Sequence, residues 1–230
     1  MLRWSLNSYL SINELKNFIN SKQIFKNTTE KRKAVKICVI DDEPFSPKRN
    51  LFSYGYEIEE ISDIKSIEEV SGYDIILCDL MGVGQSFDPA QGGASIIKEI
   101  KKNLPSKFII AYSGARSNTI VAVAAREYAD DFIKKDAELN EWTDLLDKFV
   151  EQSVDPWAMW RIARTNLLAL DVDIKNVVRL EDAFVRSVNA KDTKFLALNE
   201  ELAKIPANGN VKGVVQSLVA SAIYSLIFGA

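Results

Sequence analysis

Five short strand-like runs, three of them almost wholly apolar and closed by a polar residue, constrain this chain more than any other feature. They cover residues 34–40, 56–61, 73–78, 108–112 and 131–133. The first is β-branched at Val35, Ile37, Val39 and Ile40 and stops at Asp41-Asp42. Runs this short, bounded by polar or glycine-bearing segments, read as strands. Helical spacing fills the intervals. Ile96, Ile97, Ile100 and Leu104 share a face within 94–104, and a further helix is expected over 118–128. Trp142, Leu145, Leu146 and Phe149 recur within 139–150. Strands alternating with helices predict a parallel sheet covered on both faces, joined by right-handed crossovers.

The flanks read differently. Residues 12–25 predict a helix with Ile12, Leu15, Phe18 and Ile19 on one side, and the polar stretch 27–33, ending Lys31-Arg32-Lys33, reads as a solvated linker. Beyond residue 153 the strand signals stop. Asp155-Pro156 is an N-cap followed by proline at the first helical position, with Trp160, Ala163, Leu167 and Leu170 on one face of the helix it opens. Trp157 and Trp160 are read as core. A second helix spans 173–189, Asp192 caps a third that ends before Pro206, and 211–230 is a last, very apolar helix. The chain thus divides into an N-terminal helix and linker (1–33), an α/β domain (34–153) and a helical domain (154–230).

Charge and cysteine usage narrow the setting. The net charge is −3, and from Glu151 onward nine basic residues face nine acidic ones, so no basic recognition helix is present and nucleic acid is not expected as a partner. The N-terminus shows no basic segment followed by an unbroken apolar run, and Cys38 and Cys78 lie inside strand runs as buried thiols, which fits a reducing cytoplasm. Residues 214–228 are apolar but interrupted by Gln216, Ser217, Ser221 and Ser225, at the short limit for a bilayer span. A buried helix or an oligomer contact is the favoured reading, with membrane contact as the alternative.

The chemistry lies where the strands end. In a parallel α/β sheet ligands bind beyond the carboxyl ends of the strands. Run one delivers Asp41 and Asp42, run three Asp79, run four Ser113 and run five Lys135. In a sheet ordered 2-1-3-4-5, runs one and three are neighbours, so three carboxylates crowd one pocket. Such crowding is tolerable around a hard divalent cation, and oxygen ligands favour Mg²⁺, with Mn²⁺ as a substitute. Histidine is absent, which removes the common zinc sites and the usual general base.

These residues carry a resemblance. The run Val39-Ile40-Asp41-Asp42-Glu43-Pro44 resembles the first-strand signature of response-regulator receiver domains, over about residues 34–150. Asp79, after Ile75-Ile76-Leu77-Cys78, is similar to that family's phosphorylated aspartate. Ser113 matches its switch hydroxyl, Lys135 its strand-five lysine and Phe132 its switch aromatic. The resemblance implies a flavodoxin-like, doubly wound five-stranded sheet in the order 2-1-3-4-5, with the helical domain appended. It implies phosphorylation of Asp79, a metal held by Asp41, Asp42, Asp79 and the Met81 backbone carbonyl, and a switch through Ser113 and Phe132. A histidine kinase or phosphotransfer protein would be the partner, and the C-terminal helices an interaction or homo-oligomer surface. The chain would not be an enzyme beyond taking up and losing its own phosphoryl group. The sequence departs from the family in three places. Gly82 follows Leu80-Met81 where a proline is usual, Asp136 replaces the proline after Lys135, and the first helix is shortened between Pro47 and Gly55. The glycine-rich loop after Asp79 reads as a mobile lid. Three alternatives stand beside the switch: a pseudo-receiver scaffold, a membrane-acting effector, and a phosphatase, against which Met81 stands where a general acid is needed.

Overall fold

The computed structural model describes residues 9–15, 25–114, 119–206 and 209–219. Its sheet has five strands: β1 (Lys36–Ile40), β2 (Glu57–Ile61), β3 (Ile75–Asp79), β4 (Phe108–Ser113) and β5 (Asp131–Lys134). All four pairings are parallel, and the order is β2-β1-β3-β4-β5. The expected sheet is therefore the observed one.

Period-two alternation sorts the strand residues between two cores. Ile37, Val39, Ile75, Leu77, Phe108, Ile110 and Tyr112 face one side; Cys38, Ile40, Ile76, Cys78, Ile109 and Ala111 face the other. The second side is covered by a 3-10 turn (Ile67–Val70) and two helices. To keep the numbering in chain order, α1 is Thr28–Ala34 and α2 is Lys48–Ser53; the covering helices are α3 (Gly93–Asn103) and α4 (Ile120–Arg126). Both cysteines are buried there and free, and burial pushes both thiols far above their usual range.

The first side is covered by α2 and α5 (Leu139–Ser153), and the same apolar cluster continues into the C-terminal helices: α6 (Pro156–Ala169), α7 (Ile174–Asn189), α8 (Leu196–Ala203) and α9 (Gly209–Val219). Trp160 is buried and stacks on Phe184 at 5.9 Å, and Phe184 stacks on Phe195 at 5.9 Å. Removing a large apolar side chain like these from water stabilises by roughly 2–3 kcal/mol. Asp155 caps α6 by accepting from the Trp157 N–H, as the sequence signals predict, and Asp173 caps α7 through the Lys175 N–H. Asp192 accepts from the backbone of Lys194 and Leu196, at the entry to α8. Trp157 is only half-buried, with Arg161 over its ring. Among the described residues no helix is long and apolar enough to cross a membrane. The last expected helix is seen as α9, which buries Val211, Val214, Val215 and Leu218; residues 220–230 lie outside the described residues.

The N-terminal flank departs from expectation. Residues 12–15 are helical, while 16–24, including Phe18 and Ile19, lie outside the described residues. The stretch read as a solvated linker forms α1, capped by the Asn27 side chain, which accepts from the Glu30 N–H. Lys31 pairs with Glu151 at 2.6 Å. Arg32 forks onto Asp147 of α5, Nε to Oδ1 at 2.8 Å and Nη2 to Oδ2 at 2.6 Å. Tyr56 donates to the same carboxylate at 2.6 Å, and the Arg32 guanidinium lies 4.6 Å from the Tyr56 ring centre. A polar helix with no apolar stripe is thus held by matched charge rather than by a core face.

Candidate functional site

The carboxyl ends of β1, β3, β4 and β5 meet in one acidic pocket. Asp41, Asp42 and Asp79 each place a carboxylate oxygen within 4.8 Å of the others. Asp41 and Asp79 are buried at 7% and 3% exposure, while Asp42 is exposed. One ammonium answers them: Lys135 Nζ lies 2.7 Å from Asp79 Oδ2, 3.0 Å from Asp41 Oδ2 and 3.8 Å from Glu43 Oε2. Two like charges at this separation repel by about 3 kcal/mol at an effective dielectric near 20.

The proton equilibria reflect that imbalance. Burial pushes the Asp79 carboxyl above its ordinary value; the Lys135 hydrogen bond and the Leu80 N–H oppose this, and the neighbouring Asp41 adds to it. Partial burial works against the Lys135 ammonium, but its bonds to Asp79 and Asp41 outweigh that and hold its proton more tightly than usual. Both shifts run upward, the direction expected where negative charge is in excess.

The pocket fits a hard divalent cation by its donor set and by its shape. The donors are carboxylate oxygens from two adjacent strands. Beside them Gly82 adopts φ +76, and a Cβ there would lie 2.1 Å from Asp42 Oδ1. The glycine that replaces the usual proline therefore makes room for the Asp42 carboxylate.

The remaining expected residues fall around this centre. Ser113 is buried at the end of β4, and its carbonyl accepts from the Lys135 N–H at 3.2 Å. Met81 is two residues beyond Asp79 and is exposed. Phe132 sits on the opposite sheet face, half-buried, with the Arg126 guanidinium 5.3 Å from its ring centre. The loop after Asp79 is fastened at several points rather than being open. Asp63 accepts from the Gly84 and Gln85 N–H groups, the Gly93 N–H returns to the Leu80 carbonyl, and Leu80 and Val83 are buried.

Tyr112 was not singled out by the sequence. It is buried on β4, donates its hydroxyl to Asp41 Oδ2, and lies beneath Lys135 Nζ at 5.4 Å from the ring centre. Strand alternation assigns it to the core beside Phe108 and Ile110, but the acceptor it meets follows β1, 71 positions away in the chain.

No protein-family model and no curated protein matches this sequence. Among solved structures the chain is similar to a response regulator from Thermotoga maritima, at 15% identity over 51% of this chain and 98% of that one, with a TM-score of 0.42. It is also similar to the receiver domain of NtrX from Brucella abortus, at 23% identity over 50% and 98%, with a TM-score of 0.41. A third similarity is to the receiver domain of a sensor histidine kinase from Pseudomonas aeruginosa, solved with a magnesium ion in its active-site cleft, at 22% identity over 51% and 98%, TM-score 0.41. Sheet order and the strand-end residues define a receiver-type α/β fold in the N-terminal part of the chain, and the remainder is helical.

Proposed function

We propose that this chain is a response-regulator-like signalling protein that accepts a phosphoryl group on Asp79 in a Mg²⁺-dependent manner and passes the change to its C-terminal helices. The observation that carries the reading is the excess of carboxylate over cation among the described residues of the pocket, three aspartates against one lysine. Asp41, Asp42, Asp79 and the Met81 carbonyl would hold the metal, which supplies positive charge to screen an incoming anionic phosphodonor and the transferring oxygens.

The protein's own groups account for the rest. An Asp79 carboxylate oxygen attacks phosphorus, the donor's leaving group departs with the bonding pair, and an acyl phosphate forms without any protein group giving up a proton. That economy suits a chain with no histidine. Lys135, already 2.7 Å from Asp79 Oδ2, is placed to neutralise a phosphoryl oxygen as a point charge. The Ser113 hydroxyl donates to another, and Phe132, paired with Ala111 on the adjoining strand, follows. The donor would be a histidine kinase or phosphotransfer protein, and the output a change of contacts, including self-association, at the helical region. A membrane-acting output finds less support, because release of α9 would expose Val211, Val214, Val215 and Leu218, now buried.

Intact mass after incubation with acetyl phosphate tests the proposal. One phosphoryl adduct is expected with Mg²⁺, much less with chelator, and none in Asp79→Asn. An unchanged adduct in Asp79→Asn would place the modification elsewhere, and no adduct on the unsubstituted chain would leave a pseudo-receiver scaffold.

A further inference from the structure

Asp41 has little freedom. Its Oδ1 accepts from the Glu43 N–H at 2.9 Å, and its Oδ2 accepts from Tyr112 and from Lys135 at 3.0 Å. The Tyr112 ring meets Phe45 edge-on at 5.7 Å and Trp142 at 6.0 Å, and Phe45 meets Trp142 at 5.2 Å. Phe45 lies on the same β1–α2 loop as Asp42 and Glu43. Trp142 opens α5, the helix that leads into α6 and the C-terminal cluster. The buried Trp142 indole N–H meets no acceptor among the described residues, and the ring is held by its packing. Edge-to-face pairs at these spacings have a preferred geometry, and a displaced ring displaces its neighbours.

We propose that Tyr112 is a positioning residue that couples cation binding at the acidic pocket to α5 through its ring contacts with Phe45 and Trp142. The inference rests on the reading that the pocket takes a divalent cation. A cation drawn to the carboxylates competes with the Tyr112 hydroxyl for Asp41 Oδ2. Loosening that bond releases the phenol, and the aromatic trio adjusts against α5. The route lies on the sheet face opposite Phe132 and leads toward the helices that follow α5.

Mg²⁺ binding measured by calorimetry, in parallel with tryptophan emission, tests this on the full chain. The unsubstituted protein should show an emission change that tracks the calorimetric binding curve, and Trp142→Phe should remove it, which assigns the signal among four tryptophans. Tyr112→Phe, freed of a charge-assisted hydrogen bond, should bind Mg²⁺ roughly tenfold more tightly and lose the emission change. Phe45→Leu, which keeps the Tyr112–Asp41 bond, should bind with unaltered affinity and also lose it; this variant decides the matter if Tyr112→Phe fails to fold. An emission change retained in either variant, or missing from the unsubstituted protein while calorimetry detects Mg²⁺, overturns the coupling. Absence of calorimetric binding to the unsubstituted protein overturns the proposed function instead.

Discussion

Two carboxylates on the same side of the molecule live in opposite surroundings. Asp147 on α5 is met by the Arg32 fork and the Tyr56 hydroxyl, so a single negative charge has one cation and one neutral donor. Asp79 shares Lys135, its one nearby cation among the described residues, with Asp41 and has Asp42 within the same small cluster. The outcomes differ in sign. Burial raises the Asp147 carboxyl, but the Arg32 and Tyr56 bonds reverse this and hold it below the usual range, whereas Asp79 ends above it. The clamp relieves its electrostatics within the fold. The pocket leaves its own unrelieved, and unrelieved negative charge at strand ends is what gives a cation or phosphoryl group something to do.

The clamp offers the larger effect. Arg32→Ala leaves Asp147 and the Tyr56 hydroxyl without their cation, and the expected cost is about 2–4 kcal/mol, because a partly buried charge is left unpaired. For a chain of this size, each kcal/mol corresponds to roughly 2–4 °C in Tm, so thermal denaturation reads it directly. Arg32→Lys should recover only part, since an ammonium cannot fork onto both oxygens. An unaltered melting curve for Arg32→Ala would show that the two sites do not differ in the way described.

The pocket should respond in the other direction. Asp79→Asn removes one negative charge, keeps an acceptor for the Leu80 N–H, and leaves Lys135 paired with Asp41. In chelator, the variant is expected to be more stable than the unsubstituted chain by about 1 kcal/mol in urea unfolding. Saturating Mg²⁺ should shrink the gap, because it stabilises the unsubstituted chain more. Equal stabilisation of both by Mg²⁺ would remove Asp79 from the cation site.

The sheet was legible because strand periodicity and strand-end chemistry agree. Ile37 and Val39 alternate with Cys38 and Ile40 between two cores, and the same strand stops at the acid pair. The capping aspartate Asp155 was equally plain, since a cap is a local event. Two features escaped, for one physical reason. Helix α1 buries none of its residues, and its partner Asp147 lies 115 positions further on, so its composition reads as a solvated linker. Tyr112 could be placed in the core by alternation, but its acceptor lies at the end of β1, with β3 between the two strands, and is set by sheet order, not by its own flanks. Interactions that close over long chain separations are written in pairs of distant segments, each of which is bland by itself.

A pH series separates the two aspartates by sign. The Asp147 carboxyl is lowered in the folded state, so the folded chain holds fewer protons there than the unfolded one. Its contribution is present at neutral pH and is lost as pH falls below about 4, where the unfolded carboxyl begins to protonate. The Asp79 carboxyl is raised, so the folded chain takes up its proton first. Stability from that group is gained as pH falls toward about 4 from above, and it no longer changes once both states are protonated. Urea midpoints measured from neutral pH downward should therefore show Asp79→Asn losing its advantage as pH approaches the ordinary carboxylate range. Asp147→Asn, less stable at neutral pH, should converge on the unsubstituted chain only below it. If both variants converge over the same interval, the two carboxylates share one environment and the contrast between pocket and clamp fails.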